Sequence, residues 1–134
     1  MKGPNCKRRG ELAELAFLYK AASLGYAVSK PYGDSLPYDF LLDCAGRLLR
    51  VQVKSVASSY RGLYRISSGS GNHHKTPYSP GDIDILAAYV VPHDAWYLIP
   101  IRALAGVLTI ALCPHRPSRR RFEPFREAWS KAFG

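Results

Sequence analysis

The spacing of hydrophobic positions changes period along the chain, and each change marks an element. In the run ELAELAFLYKAASL, Leu12, Leu15, Tyr19 and Ala22 recur at helical spacing with Leu18 beside them, among residues that favour helix. This predicts an amphipathic helix from Gly10 to Leu24, ended by Gly25. Shorter runs follow, separated by turn residues: YAVSK, the turn-rich PYGDSLP, YDFLLD, a turn at Gly46, then RLLRVQVKSV. In the last run Leu49, Val51 and Val53 alternate with Arg50, Gln52 and Lys54, so one strand face meets a core and the other carries polar groups. Gln52 and Lys54 therefore project to the same side.

From Ala57 to Gly81 the chain is rich in Ser, Gly, Tyr and basic residues and poor in aliphatic ones, which predicts a ragged strand and a long exposed loop. IDILAAYVV and AWYLIPI predict two buried strands around a turn at Pro92 to Asp94, and LTIALC one further short strand. The tail from Pro114 starts as a basic loop and continues from about Glu123 as a short helix with Phe125, Trp129 and Phe133 on one side.

With 134 residues, 47% of them hydrophobic and 12% aromatic, the chain has enough for one sizeable core and too little for two. A single domain over residues 1–134 is expected, with its core at about 9–112 and a basic tail and helix at 114–134. Charge narrows the function: 19 Lys and Arg against 10 Asp and Glu leave a formal +9, which favours a polyanionic partner. Cys6, Cys44 and Cys113 are odd in number and form no CxxC pair, so neither a disulfide framework nor a zinc site is indicated. The basic start has no apolar run of signal-peptide type and no stretch is long enough to span a membrane, so a soluble cytoplasmic protein is expected.

Cutting a phosphodiester requires oxygen ligands for a hard divalent ion and a cation or acid near the attacking water or scissile phosphate. Asp39 offers a carboxylate at the start of one strand, and Gln52 and Lys54 aim an amide oxygen and an ammonium into one volume from the next. A hairpin through Gly46 would lay those strands side by side, and Glu14 on the preceding helix can reach over their ends. Together they form a candidate cluster around one metal. Asp43, after LL and before Gly46, reads as a hairpin residue.

The residues RGELAE, YD and VQVK, in this order, resemble the motifs of the PD-(D/E)XK nuclease superfamily. The intervals between Glu14, Asp39 and Gln52 are similar to those of archaeal Holliday-junction resolvases, and Gln in place of the usual acid before Lys is similar to the branch of intron-encoded homing endonucleases. The resemblance runs from about Arg9 to Ile101. It implies an α/β fold with a restriction endonuclease-like core, a mixed β-sheet flanked by helices, and a catalytic set of Glu14, Asp39, Gln52 and Lys54. It further implies Mg²⁺ or Mn²⁺ held by Glu14, Asp39, Gln52 and the carbonyl of Val53. The activity implied is metal-dependent endonucleolytic cleavage of duplex DNA, of homing type. A junction-resolving nuclease and a non-catalytic nucleic-acid-binding module on the same fold are the alternatives. Glu11, one turn before Glu14, is the substitute if the alignment slips.

The remaining basic residues fall into three groups: Lys7, Arg8 and Arg9; Arg61, Arg65 and Lys75; and Arg119, Arg120 and Arg121 with Arg116. With Tyr60, Tyr64 and Tyr78 they are expected to flank a duplex and contact its phosphates. His73 and His74 read as exposed loop residues, and His115 as a neighbour of phosphate. Because a domain this small carries one site and double-strand cleavage needs two, a homo-oligomer, dimer or tetramer, is expected.

Overall fold

The computed structural model describes residues 5–71, 74–116 and 120–130. One α-helix, α1 (Cys6–Ser23), precedes nine strands: β1 (Ala27–Ser29), β2 (Phe40–Cys44), β3 (Arg47–Val56), β4 (Tyr64–Ser67), β5 (Gly69–Ser70), β6 (Thr76–Pro77), β7 (Ile85–Val90), β8 (Ala95–Pro100) and β9 (Thr109–Leu112). Five of them form a mixed sheet in the order β1-β2-β3-β7-β8, antiparallel throughout except where β3 and β7 run parallel at its centre.

The helix starts four residues earlier than its apolar spacing predicts, because Asn5 accepts the amide of Arg8 at 2.8 Å and caps the first turn. At its other end Gly25 adopts φ 93°, and the amides of Gly25 and Tyr26 bond back to the carbonyls of Ala22 and Ala21, which stops the helix as expected. The buried stripe differs from the expected one. Ala13, Phe17 and Ala21 face the sheet, while Leu12, Leu15, Leu18 and Tyr19 are exposed. Small alanines let the helix approach the sheet closely, and Phe17 fills the space between them against Phe40, Trp96 and Trp129.

Strand alternation sorts the core into two layers. Leu49, Val51, Val53, Ile85, Ala87, Trp96 and Leu98 meet the helix. Leu86, Ala88, Val90, Tyr97 and Ile99 point the other way, against Tyr64 and Ile66 of β4 and Ile110 and Leu112 of β9. The second face is thus covered by the β4-β9 pair and by 3-10 turns rather than by a helix, with α1 on the opposite face.

The tail departs from expectation. The expected helix does not start at Glu123: a three-residue 3-10 turn, Glu123–Phe125, is followed by extended Arg126 and by Glu127 at φ 49°, and helix begins only at Trp129. Tertiary bonds override helix propensity here: Arg126 bridges to Tyr97, the Glu127 amide bonds to the Trp96 carbonyl at 2.7 Å and its carboxylate accepts the Trp96 amide at 2.8 Å. Trp129 consequently packs in the helix-side core and Phe125 against the opposite one, so they do not share a face; Phe133 lies outside the described residues. No helix among the described residues is long and apolar enough to cross a membrane.

Candidate active site

Strands β2 and β3 are joined by a two-residue turn in which Ala45 and Gly46 both have positive φ, 54° and 87°. Asp43 Oδ1 accepts the Gly46 amide at 3.0 Å and braces that turn, as its position predicts. The resulting register pairs Phe40 with Val51 and brings Asp39 beside the middle of β3.

There the carboxylate takes over from backbone. Asp39 N–H still bonds to the Val51 carbonyl at 2.8 Å, but the next amide of β3, Val53 N–H, donates to Asp39 Oδ2 at 2.9 Å. In a strand the N–H and C=O of one residue point to the same edge. The Val53 carbonyl therefore faces the Asp39 side, past the start of β2, while the polar groups of Gln52 and Lys54 serve the ladder to β7. The side chains of Gln52 and Lys54 project from one face of β3, as alternation requires, and both are half-buried.

Glu14 comes from the half-exposed flank of α1 and lies within electrostatic reach of Asp39. Its Oε1 accepts from Lys30 Nζ at 2.8 Å. Glu11, by contrast, is paired with Arg8 on the exposed first turns, at 3.9 Å. The Asp39 carboxyl is raised above its usual range, first by burial; Glu14 adds to this, while the Val53 amide, Lys30 and Lys54 oppose it. Lys54 is lowered from the ordinary lysine value, again first by burial and then by Lys75, with Asp39 opposing. Its Nζ lies 5.8 Å from the centroid of the Tyr78 ring, whose hydroxyl burial pushes up to about 12, so that it stays a neutral phenol. In both groups burial is the largest influence and acts against the charged form.

The donor chemistry fits a hard divalent ion. Among the described residues no three His, Cys, Asp or Glu side chains cluster to hold a metal, so a site here must add neutral oxygens. The Asp39 carboxylate, the Val53 carbonyl and the Gln52 amide are the candidates, and Gln52 has no side-chain partner among the described residues that would occupy it. Glu14, with one oxygen engaged by Lys30, is the further candidate.

The basic residues are distributed unequally around this point. Arg9 and Lys54 line one cleft of about 770 Å³ between α1 and the end of β3, and Lys75 is close enough to depress Lys54. Lys7, Arg8, Arg9, Arg61, Arg65 and Lys75 are all exposed. Arg61 and Arg65 both lie over the ring of Tyr60, at 5.3 and 5.9 Å. Arg121 lies over Phe122 at 5.1 Å and reaches the Ala103 carbonyl, and Arg120 is exposed, while Arg119 and His73 lie outside the described residues. Of the three tyrosines expected to meet a duplex only Tyr60 is exposed; Tyr64 and Tyr78 are core residues at 7% and 6% exposure. His115 stacks on His93 and faces the Cys113 sulfur. Lys30 and Tyr78 are the two neighbours of the cluster that the spacing of residues does not single out: Lys30 ends a strand run before a proline, and only strand register sets it opposite Phe40.

Known proteins share this fold. A family profile described as PD-(D/E)XK endonuclease matches residues 4–131. The solved structure of a bacterial homing endonuclease, I-Ssp6803I, is similar over 97% of this chain and 94% of its own, with 31% sequence identity and a TM-score of 0.84. No curated protein sequence matches. With a profile spanning nearly its whole length and a mixed sheet that superposes on a nuclease of the same kind, the chain belongs to the PD-(D/E)XK endonuclease family.

Proposed function

We propose that this endonuclease hydrolyses duplex DNA in a divalent-metal-dependent reaction of homing type, with Glu14, Asp39, Gln52 and the Val53 carbonyl as the metal-holding set and Lys54 as the group that meets the phosphate. The observation that carries the reading is the replacement of a backbone rung by the Asp39 carboxylate, 2.9 Å from the Val53 amide, on the strand that presents Gln52 and Lys54. Likeness to a bacterial homing endonuclease over almost the full chain supports the homing subtype.

A bound Mg²⁺ or Mn²⁺ would supply Lewis acidity, activating a water and neutralising charge on the phosphate. Asp39, fixed by the Val53 amide, orients that site, and β3 sets Gln52 on it without reorganisation. Lys54, its ammonium favoured by a phosphate brought beside it, stabilises the negative charge that develops on the phosphoryl oxygens. Arg9, Lys75, Arg61 and Arg65 neutralise flanking phosphates, with Lys7, Arg8 and Arg119 to Arg121 extending the contact. Because the chain carries one such cluster, cutting both strands calls for a homo-oligomer.

Cleavage of supercoiled plasmid, linear duplex and a four-way junction with Mg²⁺ or EDTA, by wild type, Asp39→Asn and Lys54→Ala, tests the reading. Magnesium-dependent cutting of duplex that both variants lose is expected. Preference for the junction would move the subtype to resolution, and DNA binding with no cutting by the wild type would leave a binding module.

A further inference from the structure

Lys30 stands directly after β1, and the pairing of Ser29 with Leu41 carries it opposite Phe40, one residue from Asp39. Its Nζ lies 4.9 Å from the centroid of the Phe40 ring and 2.8 Å from Glu14 Oε1. Glu14 and Lys30 thus line one small recess with Phe40, and Asp39, the residue before Phe40, lies within electrostatic reach of both. Like charges from Glu14 and Asp39 repel, and Lys30 is the cation that offsets both in the metal-free protein.

We propose that Lys30 is an internal counter-ion for Glu14, keeping that carboxylate beside Asp39 until a divalent cation takes it, so that Lys30 sets the cation affinity of the site. The inference rests on the metal-holding role given to Glu14 and Asp39 above. The side chains of the pair are 61% and 30% exposed, and ion pairs this open are weak, so a divalent ion, with twice the charge and further oxygen ligands, can break it. Phe40 keeps the ammonium nearby once the pair is broken, because the cation–π contact does not depend on Glu14. A plain helix-to-strand tether would affect stability alone; a counter-ion affects how tightly the site takes a cation.

The experiment is a Mn²⁺ titration of the full chain without DNA, reading free Mn²⁺ by electron paramagnetic resonance, for wild type, Lys30→Met, Lys30→Arg, Glu14→Gln, Asp39→Asn and the Glu14→Gln/Lys30→Met double variant. Removing the competing ammonium should tighten binding roughly threefold to fivefold, the equivalent of an exposed ion pair. Lys30→Arg should stay near wild type, and the gain should disappear in the Glu14→Gln background, where no carboxylate is contested. Binding that depends on Asp39 but is unchanged or weaker in Lys30→Met, or a gain that persists without Glu14, would overturn the counter-ion role alone. Absent Mn²⁺ binding, or binding indifferent to Asp39→Asn, would overturn the metal site and this inference with it.

Discussion

Replacing Lys54 by methionine should move activity and stability in opposite directions. The ammonium is half-buried and lies near Lys75, and its pKa is lowered by burial above all. A lysine whose folded pKa lies below its unfolded value destabilises the fold at every pH below the folded pKa, and that effect fades as pH rises to the ordinary lysine range. Methionine keeps the length of the stem and removes the charge. The Tyr78 ring that Nζ now faces at 5.8 Å exchanges a cation–π contact for a sulfur–aromatic one of similar strength. What remains is relief of desolvation and of repulsion from Lys75, less the lost attraction to Asp39, a net gain of about 1 kcal/mol. For a domain of this size that raises the melting temperature by roughly 3 to 5 °C. Cleavage should meanwhile fall by roughly a hundredfold to a thousandfold, the loss usual for one preorganised charge-stabilising group. Calorimetry of the metal-free protein at several pH values and single-turnover plasmid nicking measure the two effects, and the stability gain should be greatest near neutral pH and dwindle in strong alkali. A methionine variant that melts below the wild type at neutral pH would refute the desolvation argument; one that nicks at the wild-type rate would refute the role of Lys54.

Four further outcomes follow from the geometry. Arg50 donates to both Asp84 oxygens and to the Gly81 and Pro80 carbonyls at 2.6 to 3.1 Å, so Arg50→Met should destabilise the fold by about 2 kcal/mol in urea denaturation. Although burial works to raise the Asp84 carboxyl, the hydrogen bonds from Arg50 hold it below its usual range; its contribution is present above the ordinary aspartate value and lost as pH falls, so the stability gap between wild type and Asp84→Asn should close in acid. Phe17→Ala, which empties a fully buried site among Phe40, Trp96 and Trp129, should cost about 3 to 5 kcal/mol by the same assay. Arg61→Ala and Arg65→Ala should weaken DNA binding similarly for all sequences, each lowering the salt dependence measured by fluorescence anisotropy by about one phosphate contact.

The legible parts of this fold are those where one local rule suffices. Alternation alone bounds β3 and puts Gln52 and Lys54 on one face, and Asp43 with Gly46 identifies the hairpin that aligns Asp39 with them. Where two apolar stripes compete, as on α1, spacing cannot choose; close approach to the sheet selects Ala13, Phe17 and Ala21 over the larger leucines, and that depends on what the helix meets. Similarly, residues 123–126 have helical periodicity, but bonds to Trp96 and Tyr97, far away in sequence, break it. Lys30 escapes sequence reading for the same reason: its partner is sixteen residues away on another element, and only the β1-β2 register brings them together.

With the metal-holding role proposed for Asp39, the rung it supplies to Val53 makes one side chain answerable to both chemistry and architecture. If the register of β2 slipped by one residue, Asp39 would move off that amide, and a matching slip in β3 would turn Gln52 and Lys54 into the core, so misaligned chains are inactive as well as misfolded. A copy no longer selected for cutting is free to lose the carboxylate, and any replacement without an acceptor also unlatches the start of β2. In such a lineage, decay of activity would be followed by fraying of the sheet at the same spot, and the remains of the enzyme would be recognisable by that joint loss.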